Sequence, residues 1–130
     1  CGGLMYLSEA LLDFEGRSFN MVGILPTATV MGKRLTLGYR QATVLRDTPL
    51  LATGMTVWGH EFHRSHLTNP PSIPLFQTRG YYQPDRTQTE GWHLPQLHAS
   101  YLHLHWGVHP EIPKRFVEHC EKKVLLSTRS

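Results

Sequence analysis

The strongest constraint on the fold of this chain is a strict alternation of side chains between positions 99 and 106. Tyr101, His103 and His105 occupy one set of alternate positions, and apolar residues follow each of them. Successive side chains of a β-strand point to opposite faces, so this spacing predicts a strand with histidines on one face and apolar side chains on the other. The chain is therefore expected to contain a sheet with a histidine-bearing strand.

Other strands are predicted upstream of this one. Residues 34–45 alternate apolar and polar positions and are rich in Thr and Tyr, which is typical of a strand. Within it, Gly38 is interpreted as a bulge or a close backbone approach. Residues 54–63 and 75–82 are also predicted as strands, the second at a sheet edge. The remaining segments are predicted as an extended or buried strand end over 21–25, loops over 27–33 and 64–73, and a turn over 83–91.

The last predicted element is a helix over residues 111–124. Ile112, Phe116, Cys120 and Val124 recur every four residues on one side of it. An opening helix, several strands and a closing helix predict an α/β domain with a strand-rich middle. A length of 130 residues is that of one domain.

The chain starts with Cys-Gly-Gly at positions 1–3, followed by an apolar run that predicts a helix ending near Gly16. A glycine turn leading into a helix points backbone N–H groups at an anion and lowers a thiol pKa. Cys1 is therefore a candidate nucleophile. The leucines that share the predicted helical face are Leu4, Leu7, Leu11 and Leu12.

Three interpretations of Cys1 are open: a lipid-anchored residue, an N-terminal nucleophile with its own amine as base, and an internal nucleophile at a cut edge. The helical pattern favours the third, because a lipidated Cys usually leads into a polar linker and an N-terminal nucleophile more naturally opens a strand. The alternative is that the segment is only a turn with a buried thiol.

A thiol nucleophile needs a base, and two histidine clusters are candidates, at 59–63 and 101–105. A histidine at the C-terminal end of a strand is well placed for that role, and both His103 and His105 qualify. His60 and His63 are interpreted as structural or ligand-binding. The remaining histidines, expected at the surface or in loops, are His66, His93, His98, His109 and His119.

A metal site is the competing interpretation of the histidines. The spacings of His60 with His63 and of His103 with His105 suit chelation, but they are short and nonspecific. The full set of candidate ligands is His60, Glu61, His63, His66, His103, His105 and His109.

Charge, apolar runs and cysteine content exclude some classes of function. The formal net charge is +3 with scattered Lys and Arg, so nucleic-acid binding is not indicated. No apolar run approaches the roughly 20 residues that span a bilayer. The two cysteines fit no zinc spacing, which favours a reduced cytoplasmic enzyme.

Six stretches form an ordered set from one end of the chain almost to the other: residues 1–7, 21–26, 33–40, 59–65, 90–91 and 99–106. Together they resemble the glutaminase domain of the CobB/CobQ-type glutamine amidotransferases, in the branch of the cobyrinate a,c-diamide synthases. The resemblance implies the C-terminal part of a class I glutamine amidotransferase-like, flavodoxin-like three-layer α/β domain.

The resemblance also implies a function. A domain of this family hydrolyses glutamine and passes ammonia to acyl phosphates on the a and c carboxylates of a corrinoid. ATP and Mg²⁺ would be bound by an N-terminal synthetase domain, and no cofactor is expected in this chain. The expected partners are glutamine and the corrinoid, and the parent enzyme could be a homodimer. Two alternatives stay open: a non-catalytic His-rich metal-binding or interaction module, and a relative that acts on hydrogenobyrinate or a nickel tetrapyrrole.

Site residues follow from the same resemblance. Cys1 matches the family nucleophile, and the Tyr-Leu-His motif at 101–103 favours His103 over His105 as the base. The N–H of Gly2 is expected to stabilise the oxyanion. His60, Glu61 and His105 are expected to line the site, with no metal.

The resemblance places residues 1–130 as the C-terminal portion of such a domain, without its upstream strands and without the synthetase domain. On its own, this chain is therefore expected to be a poor glutaminase.

Overall fold

The computed structural model describes the backbone of residues 1–127 and the side chains of residues 1–122. Two α-helices, nine strands and one short 3₁₀ helix make up these residues. In chain order they are α1 (Gly2–Leu7), β1 (Ala10–Leu12), β2 (Ser18–Asn20), β3 (Thr29–Val44), β4 (Thr56–Leu67), β5 (Phe76–Gly80), β6 (Gln83–Glu90), β7 (Trp92–Leu94), β8 (Leu97–Ala99), β9 (His103–Leu104), the 3₁₀ helix (Trp106–Val108) and α2 (Glu111–Ser127).

Strand β3 is the axis of the main sheet. Strand β4 runs antiparallel along one edge of it, and β9 extends the sheet beyond β4. The other edge of β3 is shared, with β1 parallel to its start and β5 antiparallel to its end. Strands β2 and β6 pair outside β1 and β5, and β7 and β8 form a separate hairpin. This mixed α/β architecture, with a strand-rich middle and a terminal helix, confirms the predicted fold class.

The strand predicted over 34–45 is confirmed, but it starts earlier. Strand β3 begins at Thr29, so the loop predicted over 27–33 is wrong. Pairing with β4 shifts between Met31 and Thr36, whereas Gly38 keeps regular register. A Cβ atom at Gly38 would lie 2.5 Å from the Arg40 guanidinium, so the glycine makes room for a side chain rather than for a bulge.

The opening helix is much shorter than predicted. It ends at Leu7, where the Ser8 hydroxyl donates a hydrogen bond to the Met5 carbonyl at 2.7 Å. The amide of Glu9 then donates to the Thr27 carbonyl at 2.9 Å, which turns the chain into β1. The leucines at 11 and 12 therefore belong to a strand, and Gly16 lies in the turn between β1 and β2. Contacts with residues distant in the sequence determine that this segment is a strand, and apolar spacing alone does not reveal them.

Three other predictions need correction. Strand β4 continues to Leu67, through part of the predicted loop over 64–73. Strand β5 is not at an edge, because it lies between β3 and β6. The predicted turn over 83–91 is mostly β6, and the turn falls at Tyr81 and Tyr82 instead. Nearly every side chain of β6 is exposed, so this strand carries no apolar alternation that a pattern search could find.

The stretch from 99 to 106 is not a continuous strand. Strand β8 ends at Ala99, β9 contains only His103 and Leu104, and a 3₁₀ helix begins at Trp106. In the link between the strands, the amide of Leu102 donates to the Ser100 hydroxyl at 2.8 Å instead of to a neighbouring strand. A side-chain acceptor of this kind competes with strand pairing.

Two buried clusters hold the elements together. The larger joins β3, β4 and β5 to Ile112 of α2 and includes Phe76 and Leu51. The smaller packs α1 against the segment around Tyr101 through Leu4.

The closing helix is confirmed, but its predicted apolar face is not. Of that face only Ile112 is buried, whereas Phe116 and Cys120 are exposed. The side chain of Val124 lies outside the described residues. Among the residues described, neither helix has the length and apolar character that a bilayer crossing requires.

Candidate active site

Cys1 is held between a strand and a loop. It caps the N-terminus of α1 and is half-buried. Its main-chain nitrogen donates to the Ser100 carbonyl at 2.9 Å. Its Sγ atom lies 3.9 Å from the Phe62 carbonyl oxygen on β4, a weak contact for a thiol. The candidate nucleophile therefore has two anchors, one on β4 and one on the link that precedes β9.

His103 is placed by the pairing of β9 with β4, in which it lies opposite His60. Its Nδ1 atom lies 3.0 Å from the main-chain oxygen of His60. A carbonyl oxygen only accepts hydrogen bonds, so Nδ1 carries the proton in the neutral ring and donates it. The Nε2 atom is then the acceptor, which is the state a general base requires.

The two candidate catalytic side chains use neighbouring carbonyls of the same strand. Cys1 approaches the oxygen of Phe62, and His103 bonds the oxygen of His60. Carbonyls two residues apart on a strand point to the same edge and are about 7 Å apart. The thiol and the imidazole therefore lie at adjacent positions along one edge of β4. No direct hydrogen bond joins them among the described side chains.

Gly2 lies in the first turn of α1, whose N-terminal amides have no partner within the helix. None of the described side chains caps this end. Apart from the chain neighbours and the backbone of the helix itself, no atom of the described residues lies within 4 Å of the position that a Cβ would occupy at Gly2 or at Gly3. The space beside the predicted oxyanion donor is thus open.

Glu61 follows His60 on β4 and points into a polar cluster. The Nε atom of Arg40 donates to its carboxylate at 2.8 Å. The Nε2 atom of His63 is 3.8 Å away, too far for a hydrogen bond. Burial opposes ionisation, but the neighbouring His63 and the Arg40 charge together hold the pKa of Glu61 below its ordinary value. Glu61 is therefore a carboxylate held by Arg40, one position along β4 from His60, whose carbonyl accepts the hydrogen bond of the candidate base His103.

His63 packs against the link that precedes β9. Its ring stacks on Tyr101 with centroids 3.8 Å apart and planes inclined by 12°. The Tyr101 hydroxyl and the Ser65 hydroxyl share a hydrogen bond of 2.9 Å, and the Ser65 hydroxyl also lies 3.3 Å from the Met5 sulfur. This buried contact ties β4 to α1 and to the link before β9. Burial raises the pKa of Tyr101.

Glu90 is the residue that sequence reasoning missed. Its carboxylate accepts hydrogen bonds from the Ser100 hydroxyl and, at 3.3 Å, from the Tyr101 amide. Burial raises its pKa to about 7. The only signal in the sequence is the Glu-Gly pair at 90–91, where Gly91 has a φ of +86° that other residues rarely adopt.

Two expected site-lining histidines have different surroundings. The exposed ring of His60 lies 4.8 Å from that of His103, centroid to centroid. It also faces a cavity of about 560 Å³ that Tyr39, Arg40 and Arg86 help to line. His105 follows β9 and is exposed. Among the described residues, no hydrogen bond or ring contact joins it to Cys1 or to His60.

The proposed metal ligands do not converge. Within the part of the chain that the structure describes, no group of three or more His, Cys, Asp or Glu side chains could hold a metal ion. His63 stacks on Tyr101, and His109 bonds the Glu111 carboxylate at 2.8 Å.

The expected surface position of His98 is wrong. It lies in β8, where its Nδ1 is 3.3 Å from the Thr48 hydroxyl and its ring meets Phe76 edge-on. Burial lowers its pKa to about 4, so it is neutral at physiological pH. Of the other histidines predicted at the surface, His66 is exposed, but the Nε2 atom of His119 is buried and has no hydrogen-bond partner among the described residues.

Comparison with known proteins gives one consistent result. Residues 1–110 match the CobB/CobQ-like glutamine amidotransferase domain. A cobyrinate a,c-diamide synthase of Synechococcus sp. is 48% identical over 127 residues, which are 98% of this chain and 28% of the relative. One from Dehalococcoides mccartyi is 42% identical over 124 residues, 90% of this chain and 26% of the relative.

A hydrogenobyrinate a,c-diamide synthase of Streptomyces coelicolor is also similar, with 41% identity over 120 residues, 92% of this chain and 23% of the relative. The chain thus spans about a quarter of the length of the curated relatives it matches. The family match covers most of the chain and includes both Cys1 and His103. This chain belongs to the CobB/CobQ-like glutamine amidotransferase family.

Proposed function

We propose that this chain hydrolyses glutamine, with Cys1 as the nucleophile and His103 as the general acid and base. The observation that carries the proposal is the hydrogen bond from His103 Nδ1 to the His60 carbonyl. It leaves Nε2 to accept a proton along the strand edge that Cys1 also approaches. Family membership supports the reaction class.

The reaction takes two steps. Cys1 gives its thiol proton to His103 Nε2, and the sulfur attacks the side-chain amide carbon of glutamine. The C–N bond breaks as His103 returns the proton to the nitrogen, so that ammonia leaves and a γ-glutamyl thioester remains. A water then gives a proton to His103 and attacks the thioester. The C–S bond breaks, glutamate leaves, and the thiol is restored.

The N-terminus of α1 supports both steps. Its unpaired amides favour the thiolate of Cys1, and the N–H of Gly2 serves as a donor to the tetrahedral oxyanion. The open space beside Gly2 and Gly3 supports this role, because a substrate carbonyl can approach the backbone there. His60 and Glu61 are neighbours on β4. Glu61 is an anion whose position is fixed by a hydrogen bond from Arg40. His105 is exposed and forms no hydrogen bond to β4 among the described residues, so we assign the base to His103.

We propose that the ammonia is used to amidate the a and c carboxylates of a corrinoid in cobalamin biosynthesis. The support is the activity for which three relatives are named, two for cobyrinate and one for hydrogenobyrinate. Activation of those carboxylates would need ATP and Mg²⁺, which we assign to the part of the relatives that this chain does not match. A cytoplasmic location and a homodimeric parent enzyme remain predictions.

We expect the 130-residue chain alone to be a poor glutaminase. Large apolar side chains are exposed on the sheet face that carries His60, including Leu37, Tyr39 and Phe62. Exposed apolar surface of this kind needs a covering partner. Turnover by the isolated chain equal to that of the protein from its complete reading frame would contradict this expectation.

The test of the proposed function compares two nitrogen sources in the protein from its complete reading frame. Cys1→Ala should abolish amidation with glutamine and spare amidation with ammonium salts, because only the first needs the thiol. Loss of both activities would mean that Cys1 is structural, and retention of glutamine-dependent amidation would refute the proposal.

A further inference from the structure

The Glu90 carboxyl contacts two successive residues of the link that leads to β9. One oxygen accepts from the Ser100 hydroxyl and the other from the Tyr101 amide at 3.3 Å. Glu90 is the last residue of β6, and its neighbour Gly91 packs so closely on Leu75 that a Cβ there would lie 3.0 Å from it. The carboxyl therefore projects from a fixed point of the sheet.

Ser100 connects Glu90 to both candidate catalytic residues through two further hydrogen bonds. Its hydroxyl accepts a hydrogen bond from the Leu102 amide at 2.8 Å, which shapes the last turn before His103. Its carbonyl accepts one from the Cys1 main-chain nitrogen at 2.9 Å. Both candidate catalytic residues are thus connected to one serine, and that serine is connected to Glu90.

Among the described residues, the carboxyl forms no hydrogen bond with the thiol or with the imidazole, so we assign it no step of the chemistry. The charged side chain that acts on it is Glu61. Burial of a carboxyl is unfavourable unless its oxygens are hydrogen-bonded. Here both hydrogen bonds come from the link before β9, from Ser100 and Tyr101, and this link lies between the nucleophile and the base.

We propose that Glu90 is a positioning residue for glutamine hydrolysis, which acts through Ser100 to set the separation of Cys1 and His103. This proposal rests on the proposed function. Its distinctive consequence is that loss of the carboxyl should lower kcat and leave glutamine binding intact, because a small displacement of reacting groups costs rate more than affinity.

The test uses Glu90→Gln in the protein from its complete reading frame. Glutamine keeps one oxygen for Ser100 but presents an NH₂ group to the Tyr101 amide, so two donors oppose each other. We expect kcat for glutamine hydrolysis to fall by about 10- to 100-fold, with KM within about threefold. Ammonia-dependent amidation should not change. Glu118→Gln, on the exposed side of α2, is the matched control.

A second variant keeps the proposal testable if Glu90→Gln does not fold. Ser100→Ala removes the hydroxyl that joins Glu90 to Leu102 and should give the same loss of kcat. The double variant should lose no more than either single variant, because residues that act through one network are not additive.

The outcomes separate this proposal from the proposed function. A wild-type protein without glutaminase activity would overturn the proposed function and this inference with it. An active wild type with kcat of Glu90→Gln within twofold would overturn the inference alone. Equal losses of glutamine-dependent and ammonia-dependent activity would also overturn it, since the residue would then support the whole fold.

Discussion

The Nδ1 atom of His103 donates a hydrogen bond of 3.0 Å to the main-chain oxygen of His60. The acceptor belongs to the backbone, so the bond does not depend on the protonation of any other side chain. It holds the ring at the edge of β4, where the Cys1 thiol approaches the carbonyl two residues further on. The strand pairing of β9 with β4 is therefore what assembles the candidate site.

Removal of the His103 ring should slow the reaction strongly. His103→Ala is expected to lower kcat for glutamine hydrolysis by about 10²- to 10⁴-fold, the usual contribution of a general acid-base residue. The measurement is steady-state glutamate release at pH 7.

His66→Ala is the matched control, since His66 is an exposed histidine on β4, the strand that pairs with β9. It should stay within twofold of the wild type. His105→Ala should have a much smaller effect than His103→Ala; if the order of these two variants is reversed, the base is His105.

Gly59 is required for the close approach of β9. A Cβ atom there would lie 2.5 Å from the main-chain oxygen of His103 and 2.8 Å from the Leu102 side chain. Gly59→Ala should push β9 away, lower the unfolding free energy by about 1–3 kcal/mol and reduce glutaminase activity. Urea unfolding and glutamate release measure the two effects.

Gly32→Ala offers the comparison within β3. Its Cβ would lie 3.4 Å from the Arg64 carbonyl oxygen and 3.9 Å from Nδ1 of His66, both without a clash, so we expect a smaller loss of stability and nearly full activity. Equal behaviour of the two alanine variants would show that the spacing of β9 from β4 is not critical.

Two buried groups should give opposite pH dependences of stability. Glu90 has its pKa raised by burial from 4.5 to about 7, so the folded state binds the extra proton and stability falls as pH rises through that window. His98 has its pKa lowered by burial from 6.5 to about 4, so stability rises with pH across that range. Between pH 4.5 and 6.5 the two contributions to the pH dependence of the unfolding free energy largely cancel.

Single variants should uncover each slope. Glu90→Gln should leave stability rising from pH 4 to 6.5, and His98→Gln should leave it falling from pH 4.5 to 7. Each slope is at most about 1.4 kcal/mol per pH unit. Urea midpoints at half-unit pH steps measure them, and variant curves parallel to the wild type would contradict the assignment.

The Arg40–Glu61 pair should matter more than a surface pair. Its side chains are 22% and 15% exposed, and Arg40→Met would leave the carboxylate without its cation. We expect a loss of about 1–3 kcal/mol in unfolding free energy at pH 7. The pKa of Glu61 is lowered, so this contribution is present above its ordinary pKa and is lost as pH falls through the folded value.

Arg17→Met is the control for this pair, because Arg17 is 70% exposed in its contact with Asp13. Exposed pairs contribute about 0–1 kcal/mol. A loss for Arg40→Met no larger than that for Arg17→Met would show that burial does not strengthen the inner pair.

The sequence predicts those elements whose side chains follow one clear period. Strand β3, strand β4 and helix α2 were found because apolar positions recur at strand or helix spacing. Strand β6 was missed because nearly all its side chains are exposed. Helix α1 is shorter than its apolar spacing predicts, because Leu11 and Leu12 continue the helical spacing but lie in β1.

The candidate site was predicted by residue identity rather than by geometry. The Cys-Gly-Gly start and the Tyr-Leu-His motif resemble those of a family, and this resemblance is the basis for choosing Cys1 and His103. Nothing in the sequence showed that two carbonyls of β4 would anchor them, since backbone acceptors carry no sequence signal. Glu90 was missed for a similar reason, because its role depends on a link ten residues away.

Covalent labelling of Cys1 tests the central claim most directly. A glutamine-analogue electrophile should modify Cys1, and excess glutamine should protect it, because the nucleophile and the substrate share one site. Cys120 is exposed on α2 and provides an internal control within the same molecule. Peptide mass spectrometry of the protein from its complete reading frame should find the adduct on Cys1 and not on Cys120. Equal labelling of both cysteines, unaffected by glutamine, would contradict the assignment of Cys1 as the nucleophile.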